Sequence, residues 1–563
     1  MVVTLTLTPF ISVSMGLAVV GVLLASIAVA IAVVAMGRVR VVRPSPASLV
    51  LWLPASLGAL VWIAVRIAAT FVPGASQVSW AMEGDATNNM NYVARILVDN
   101  GIRVGGVENP VPLPVGAAAI PLSLERLVTP VGSTLSGDLS SYGWVWTAVL
   151  CVGCVVMGAI VASLIDPRRR LLVAVASASG SLLPLTWFVG GLPIEYGYFN
   201  MPFTLALALA SWLTFVAARR SPLLAVTTEV IIATLLLLTW SPIALIPVAL
   251  GLVVAIRHRR SIIAARRVPL ALLITAVIVG IGFAVALTIP AFSVQSTALS
   301  APGQGFPPSW TLAFALVAVS LAAAAHLRTR STVPVFSGAL TLVSASYAAL
   351  ALMLYIGRDV FDPWTAYYTV KMLWLVTAMW LPVALSLVLS IASEFRPRSL
   401  ATATVAAVAI STVVLAAYPP IPLHPDQVAR QPAERIIGGH AWATGDDAVA
   451  GIVAIAQRGE TAFLWDSLSR DEQVINFWAA YSVGDQEADD RQPKRFAFRE
   501  YSSFRSGYDS GPASYNALCG LLRDPSRELV IYTDNPALEG EFAENCTGAS
   551  ADFRVGETPG VAY

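Results

Sequence analysis

Twelve runs of mostly apolar residues fill the first three quarters of this 563-residue chain and constrain its fold more than any other feature. An apolar run of about 17–25 residues can cross the hydrocarbon core of a bilayer as a helix. We therefore predict twelve membrane-spanning helices, near residues 10–36, 48–72, 144–165, 171–191, 201–218, 222–239, 241–256, 268–291, 310–327, 332–356, 368–392 and 399–417. Trp240-Ser241-Pro242 separates two of these runs, at 222–239 and 241–256, which form either two spans or one kinked element.

The arginines alternate with the apolar runs. Of the 23 basic residues in 1–418, 17 lie in six loops, and these are every second loop. They are Arg38, Arg40, Arg43, Arg168, Arg169, Arg170, Arg219, Arg220, Arg257, Arg259, Arg260, Arg266, Arg267, Arg328, Arg330, Arg396 and Arg398. Because basic loops stay in the cytoplasm, we expect a multi-pass protein of the cell membrane with both termini outside. No charged segment precedes the first run and no cleavage site of small residues follows it, so we expect a retained span and not a removed signal peptide.

The charge balance divides the chain into two parts. The formal net charge of +1 is the sum of +11 for residues 1–418 and −10 for residues 419–563. A charged fraction of 12% and a mean hydropathy of +0.72 exclude an ordinary soluble or disordered chain. No zinc-finger or RNA-binding motif is present, so nucleic acid is not an expected partner.

The second part begins at a stiff linker, Tyr418-Pro419-Pro420-Ile421-Pro422. Its pattern predicts strands near 461–465 and 528–532 and helices near 446–457, 471–481 and 536–545. We therefore predict an α-helical polytopic membrane domain over 1–418, with a large outer loop at 73–143, and an extracytoplasmic α/β domain over 419–563.

The four cysteines fall into two pairs. Cys519 and Cys546 lie in the predicted outer domain, an oxidising environment, so we expect a disulfide between them; two buried free thiols are the alternative. Cys151 and Cys154 lie three residues apart inside a predicted span, where packing explains them better than redox chemistry does.

The outer loop opens with an acidic and amide-rich motif, Glu83-Gly84-Asp85-Ala86-Thr87-Asn88-Asn89, followed by an amphipathic helix near 86–100. Asp85 suits the N-cap of that helix and also suits a general base that takes a proton from a sugar hydroxyl. Glu83 is the second candidate base. Asn88 and Asn89 suit a polyol substrate because amides both donate and accept hydrogen bonds.

A second motif lies in a short outer loop and continues into the following span. It contains Arg358, Asp359, Asp362, Trp364, Tyr367, Tyr368 and Lys371, and its lysine is one of only two in the chain. Its cations suit a lipid-linked phosphate, whereas its rings also suit an interfacial aromatic belt. Glu195, beside Tyr196 and Tyr198 in another outer loop, suits a sugar site, because aromatic faces stack on sugar C–H edges; a loop of the aromatic belt is the alternative. Arg66 lies within a span, near enough to its outer end to reach the headgroups, or forms a structural pair there.

With these residues in view, the chain resembles polytopic glycosyltransferases of the C superfamily, in particular the actinobacterial arabinofuranosyltransferases that build cell-wall arabinan. The likeness rests on the general plan and on two stretches, Glu83 to Asn89 and Tyr367-Tyr368-Thr369-Val370-Lys371-Met372-Leu373-Trp374. It implies a lipid-phosphate sugar donor and an acidic base in the first outer loop, a role that falls to Asp85 or Glu83. In many members that acid follows the first span, whereas two predicted spans precede it here.

The expected function is therefore inverting transfer of a pentose from a polyprenyl-phosphate donor to a cell-wall polysaccharide on the outer face. We expect Lys371, Arg358 and Arg66 to hold the donor phosphate, and the sugars to lie against the polar and aromatic residues of the motifs. These are Asn88, Asn89, Glu195, Asp359, Asp362, Trp364, Tyr367 and Tyr368. The sequence assigns no cofactor with certainty, and a divalent cation between Asp85 and Asp362 is the open alternative. The alternative is a transporter or a flippase for lipid-linked sugars.

Overall fold

The structure is a computed structural model. It describes residues 2–10, 13–35, 46–71, 80–81, 85–102, 111–128, 135–264, 267–291, 309–329, 333–359, 363–364, 366–394, 398–417, 429–438, 461–464, 529–533, 536–548 and 551–556. Helix dominates these residues, as a chain in a bilayer requires, because each helix satisfies its own backbone hydrogen bonds.

The helices before residue 200 are α1 (Val2–Leu7), α2 (Met15–Ala35), α3 (Pro46–Ala55), α4 (Leu57–Ala69), α5 (Ala86–Val98), α6 (Pro112–Val128), α7 (Leu135–Ala162), α8 (Arg170–Leu182) and α9 (Leu192–Glu195). From residue 200 they are α10 (Asn200–Ala217), α11 (Pro222–Leu237), α12 (Leu245–Arg257), α13 (Arg259–Ile263), α14 (Arg267–Phe283), α15 (Trp310–Leu327), α16 (Val335–Ile356), α17 (Tyr367–Glu394), α18 (Arg398–Ala417), α19 (Pro432–Gly438) and α20 (Leu538–Asn545). Short 3₁₀ turns lie at Thr8–Phe10, Leu183–Leu185, Ser241–Ala244 and Gly357–Asp359, and π-helical turns at Trp187–Gly191 and Ala284–Thr288.

Seven helical segments in the described part of the chain have the length and hydropathy of a membrane span. They are Ser48–Ala69, Gly137–Ala162, Asn200–Ala217, Leu270–Ala291, Trp310–Leu327, Val335–Asp359 and Tyr367–Glu394. A pair bent by 47°, Arg170–Leu185 with Trp187–Glu195, makes an eighth if it counts as one span. The other four predicted runs fall on shorter apolar helices, Met15–Ala28, Pro222–Leu237, Ser241–Arg257 and Ala401–Leu415. The apolar helices indicate a multi-pass helical membrane protein.

The ambiguous region around Trp240 consists of two helices. The backbone of Trp240 is extended between α11 and the turn Ser241–Ala244. Helix α12 then packs back along α11. The two helices are in close contact, since a Cβ added at Gly251 of α12 would lie 3.0 Å from the Cβ of Glu229 on α11. The region is therefore a helical hairpin and not one kinked helix.

The described residues between the second and third predicted spans are largely helical. They contain α5 and α6, and α7 begins at Leu135, nine residues before the predicted start of its span. Helix α6 was not predicted, although most of its side chains are buried. Its run of small and apolar residues was a usable signal, but the prolines at positions 112, 114 and 121 pointed to a loop.

Three hydrophobic clusters form the core of the described residues, and the smallest joins α7, α8, α17 and α18. Of the two larger clusters, one joins α10, α11, α12, α15, α16 and α17, and the other joins α4, α5, α6 and α7 with the N-terminal segment. Helix α17 is the most enclosed of the candidate spans, with 78% of its most apolar stretch buried. Its first turn lies where the two larger clusters meet, and this junction holds the candidate site.

In the tail, three short strands form a parallel sheet in the order β1 (Thr461–Leu464), β2 (Leu529–Thr533) and β3 (Asp552–Val555). Thr461 pairs with Leu529, and Val530 pairs with Asp552. The first two strands and α20 lie where the pattern predicted them. The helices predicted near 446–457 and 471–481 lie outside the described residues.

The cysteines are in two different states. Cys546, after α20, is buried and disulfide-bonded, and Cys519 lies outside the described residues. Cys151 and Cys154 are free thiols on α7. Their state agrees with a packing role inside a span.

Candidate active site

The site is built on an ion pair between Asp85, just before α5, and Lys371, in the second turn of α17. The Lys371 Nζ donates to the Asp85 Oδ2 over 2.7 Å. The Tyr367 hydroxyl donates to the same oxygen. Residues four positions apart share one face of a helix, so α17 presents both donors to the carboxylate together.

The ammonium is enclosed on several sides. The Lys371 side chain is 4% exposed, whereas that of Asp85 is 32% exposed. The Nζ lies 3.8 Å from the ring centre of Tyr198 and 4.0 Å from that of Tyr367, with Tyr368 at 5.7 Å. A buried ammonium needs compensation, which the carboxylate and the ring faces provide here.

Both donors bind one oxygen of Asp85, and this leaves its other oxygen available. Asp85 occupies the N-cap position predicted for it, with φ −66° and ψ −7°, but its side chain accepts no hydrogen bond from the first turn of α5. The Oδ1 accepts no hydrogen bond from any residue that the structure describes. The carboxylate is therefore held at one oxygen and open at the other.

The backbone holds α5 in this position. The Asp85 N–H donates to the Tyr196 carbonyl over 3.0 Å, and the Asn89 Nδ2 donates to the Gly197 carbonyl over 3.1 Å. Gly197 has a φ of +65°, which glycine adopts without strain. Asn89 is buried and acts as an anchor in this structure, whereas Asn88 is half-buried.

A row of tyrosines extends along the site. Tyr196 stacks on Tyr198 at 5.2 Å, Tyr198 meets the edge of Tyr367 at 5.6 Å, and Tyr367 meets Tyr368 at 5.1 Å. Tyr198 is buried and the other three are partly exposed. Burial and the nearby Asp85 carboxylate raise the pKa of Tyr198 well above its usual range, so this phenol stays neutral at physiological pH.

Glu195 supports the loop that carries these rings. Its Oε2 accepts a hydrogen bond from the Trp187 Nε1 over 2.7 Å, and its side chain is buried. The Trp374 Nε1 of α17 donates to the Phe188 carbonyl in the same π-helical turn over 2.7 Å. Such turns occur often at functional sites, and this one is tied to α17 one turn beyond Lys371.

Arg66 forms a separate group. Its guanidinium carbon lies 5.8 Å from the ring centre of Trp80 and 5.4 Å from that of Trp144, and its Nη2 donates to the Ser140 Oγ over 3.1 Å. A Cβ at Gly143 would lie 2.8 Å from Trp80, so only glycine fits beneath this group. The structure thus holds Arg66 among aromatic rings at the start of α7.

The loop before α17 keeps its charges at the surface. The Arg358 guanidinium lies over the Tyr355 ring at 4.2 Å and 3.8 Å from Asp359, and the side chains of Arg358 and Asp359 are 53% and 79% exposed. Trp364 is exposed and meets the edge of Trp310 at 4.8 Å. Glu83 and Asp362 lie outside the described residues.

Sequence reasoning assigned Asp85 and Lys371 to the site but did not pair them, and it missed the role of Tyr198 against the ammonium. The usable signal was the position of Lys371, the one lysine of residues 1–418.

Across the described ranges, no group of three or more His, Cys, Asp or Glu side chains could hold a metal ion.

Comparison of the chain with protein-family models, with curated proteins and with solved structures finds no match.

Proposed function

We propose that the chain is an inverting membrane glycosyltransferase that moves a pentose, arabinofuranose, from a polyprenyl-phosphate donor to a cell-wall glycan on the outer face. The observation that carries the proposal is the Asp85 carboxylate, held at Oδ2 by Lys371 and Tyr367 and open at Oδ1. The proposal includes twelve spans, both termini outside and an extracytoplasmic α/β tail.

The open oxygen suits a general base. An acceptor hydroxyl that donates to the Asp85 Oδ1 passes its proton to that oxygen as its own oxygen attacks the anomeric carbon. The bond between that carbon and the phosphate oxygen breaks on the opposite face, and its electron pair stays with the phosphate. Attack and departure on opposite faces invert the anomeric centre.

The Lys371 ammonium suits stabilisation of two negative charges in turn, first the Asp85 carboxylate and then the leaving phosphate. Before the reaction its charge is balanced by the Asp85 carboxylate at 2.7 Å. When Asp85 takes the proton it becomes neutral, and the ammonium is left to stabilise the negative charge that builds on the leaving phosphate. This exchange is effective because a charge interacts more strongly in a buried site than in water.

Three tyrosine rings and one asparagine near this pair suit the two sugars. The partly exposed rings of Tyr196, Tyr367 and Tyr368 offer faces for the apolar edges of sugars. The half-buried Asn88, in the first turn of α5, offers an amide for their hydroxyls. Arg66 and Arg358 stay proposed phosphate ligands. Arg66 is oriented by Trp80 and Trp144, whereas Arg358 lies at the surface.

The test is sugar transfer by the purified full chain in detergent, from a radiolabelled polyprenyl-phosphate arabinose to a galactan acceptor. We expect Asp85→Asn to lower the rate by about 100-fold or more, as loss of a general base does. The matched control is Asp99→Asn at the other end of α5, which should stay within about threefold of the natural chain. Undiminished transfer by Asp85→Asn would overturn the proposed role of this carboxylate. Detergent removes the two compartments, so a chain that only transports would transfer no sugar at all.

A further inference from the structure

A cavity of about 370 Å³ lies among the ends of α10 and α12 and the residue before α16. Helix α10 begins beside the tyrosine loop of the candidate site and runs for 18 residues, or about 27 Å. The cavity is therefore at the far end of the bundle, on the side of the arginine-rich loops. Its size falls in the range of small-molecule sites, about 300–1,000 Å³.

The polar part of the cavity wall is basic. Arg219, Arg257 and His258 line it, and no acidic residue does. Arg219 and Arg257 are exposed, and neither forms an ion pair with another residue in the described ranges. Two guanidinium groups on the wall of one cavity, without a carboxylate there, suit an anion, and a phosphate fits their planar donors well.

The rest of the wall is apolar, and α12, which forms part of it, also exposes large apolar side chains at the surface. Phe215, Val253 and Pro334 line the cavity together with the arginines. On the same helix as Val253, Leu252 and Ile256 are 58% and 63% exposed. A free phosphate needs no apolar outlet, whereas a phospholipid does, because its acyl chains must continue into the bilayer beside its headgroup.

We propose that this cavity binds the headgroup of an anionic glycerophospholipid from the leaflet on the arginine-rich side. Arg219 and Arg257 contact the phosphodiester, His258 contacts a headgroup hydroxyl, and the acyl chains leave past Val253. The site is separate from Asp85 and does not depend on the proposed transferase activity. Basic cavities between membrane helices are well suited to acidic lipid headgroups.

The test is a titration of the purified full chain in neutral detergent with short-chain phosphatidylglycerol, followed by native mass spectrometry. Phosphatidylcholine and inorganic phosphate are the comparison probes. We expect saturable binding of one phosphatidylglycerol, about 30-fold weaker in the double variant Arg219→Gln/Arg257→Gln, since each arginine near an anionic lipid contributes about fivefold. The matched control, Arg168→Gln/Arg170→Gln, removes two exposed arginines from another basic loop and should stay within about threefold.

A second variant tests the cavity itself. Val253→Trp fills the apolar wall and leaves both arginines in place, so it should also weaken binding of phosphatidylglycerol. Equal weakening by the two arginine pairs would overturn the proposal, because it would mean general attraction to a basic surface. Inorganic phosphate that binds as tightly as phosphatidylglycerol would overturn it too, as would phosphatidylglycerol binding that neither Arg219→Gln/Arg257→Gln nor Val253→Trp changes.

Discussion

The Lys371 ammonium lies 2.7 Å from the Asp85 carboxylate, although 286 positions separate the two residues in the chain. The pair joins the second turn of α17 to the N-cap of α5, where the two larger hydrophobic clusters of the core meet. Because the ammonium is nearly inaccessible and the carboxylate is one-third exposed, the pair serves both the fold and the proposed chemistry.

A double-mutant cycle should show strong coupling between Asp85 and Lys371. Lys371→Met removes the cation and leaves a partly buried carboxylate without it, which should lower the free energy of unfolding by about 1–3 kcal/mol. Adding Asp85→Asn should recover part of that loss, because the uncompensated charge is gone. Thermal unfolding in detergent measures all four variants. Additive effects of the two substitutions would contradict the coupling.

Tyr367→Phe should reduce transfer while the protein stays folded. The substitution removes the hydroxyl that donates to Asp85 Oδ2 but keeps the ring that faces Lys371. A more mobile carboxylate should lower kcat/KM by about tenfold. Tyr347→Phe on α16 is the matched control, since its hydroxyl makes no hydrogen bond among the described residues, and it should change the rate less than about threefold. Equal losses in the two variants would argue against the positioning role of Tyr367.

Glu195 should tolerate an amide but not an apolar side chain. Its Oε2 accepts the Trp187 N–H inside the loop, and a glutamine oxygen can accept the same bond. Glu195→Gln should therefore melt within a few degrees of the natural chain, whereas Glu195→Leu should lose about 1–3 kcal/mol by leaving the indole N–H unsatisfied. If Glu195→Gln keeps its stability and loses transfer, the carboxylate contacts substrate as well.

Glu229 should be dispensable for sugar transfer. This buried carboxylate on α11 accepts a hydrogen bond from the Ser211 hydroxyl over 2.5 Å, on neighbouring helices away from Asp85. A carrier would use such an intramembrane acid in its working cycle. For a transferase we expect Glu229→Gln, which keeps the hydrogen bond, to stay within about threefold in the detergent assay. Loss of transfer in a stably folded Glu229→Gln would favour the carrier alternative.

Stability should fall at alkaline pH in part through Tyr198. The pKa of this phenol is raised in the folded chain, first by burial and then by Asp85, whereas an unfolded tyrosine titrates near about 10. The unfolded chain therefore loses the proton first, and the free energy of unfolding decreases as the pH rises above about 10. Thermal melts at pH 9 and 11 should show a smaller loss for Tyr198→Phe than for the natural chain. Tyr355→Phe, which removes an exposed phenol, should behave like the natural chain.

The pattern of apolar residues along the sequence was sufficient to predict most of the helices. Each apolar run predicted as a span falls on an apolar helix, because the cost of exposing backbone polar groups to lipid leaves long apolar runs no other structure. The pattern failed in the segment after the second run. There α6 contains Pro112 and Pro121, and proline also indicates loops, so its apolar residues did not decide the matter.

The sequence by itself determined which residues are costly to bury and could therefore be important, among them Asp85, Glu195 and Lys371. It could not determine their partners, because periodicity reports which face of a helix is apolar and not which helix packs against it. The tertiary structure decided that Lys371 and Tyr367 bind Asp85, and that Glu195 binds Trp187. It also brought Arg219, Arg257 and His258 to one cavity from two separate loops. Those contacts depend on how α5, α10, α12 and α17 pack together, and that packing is the sum of many weak apolar contacts spread along the whole chain.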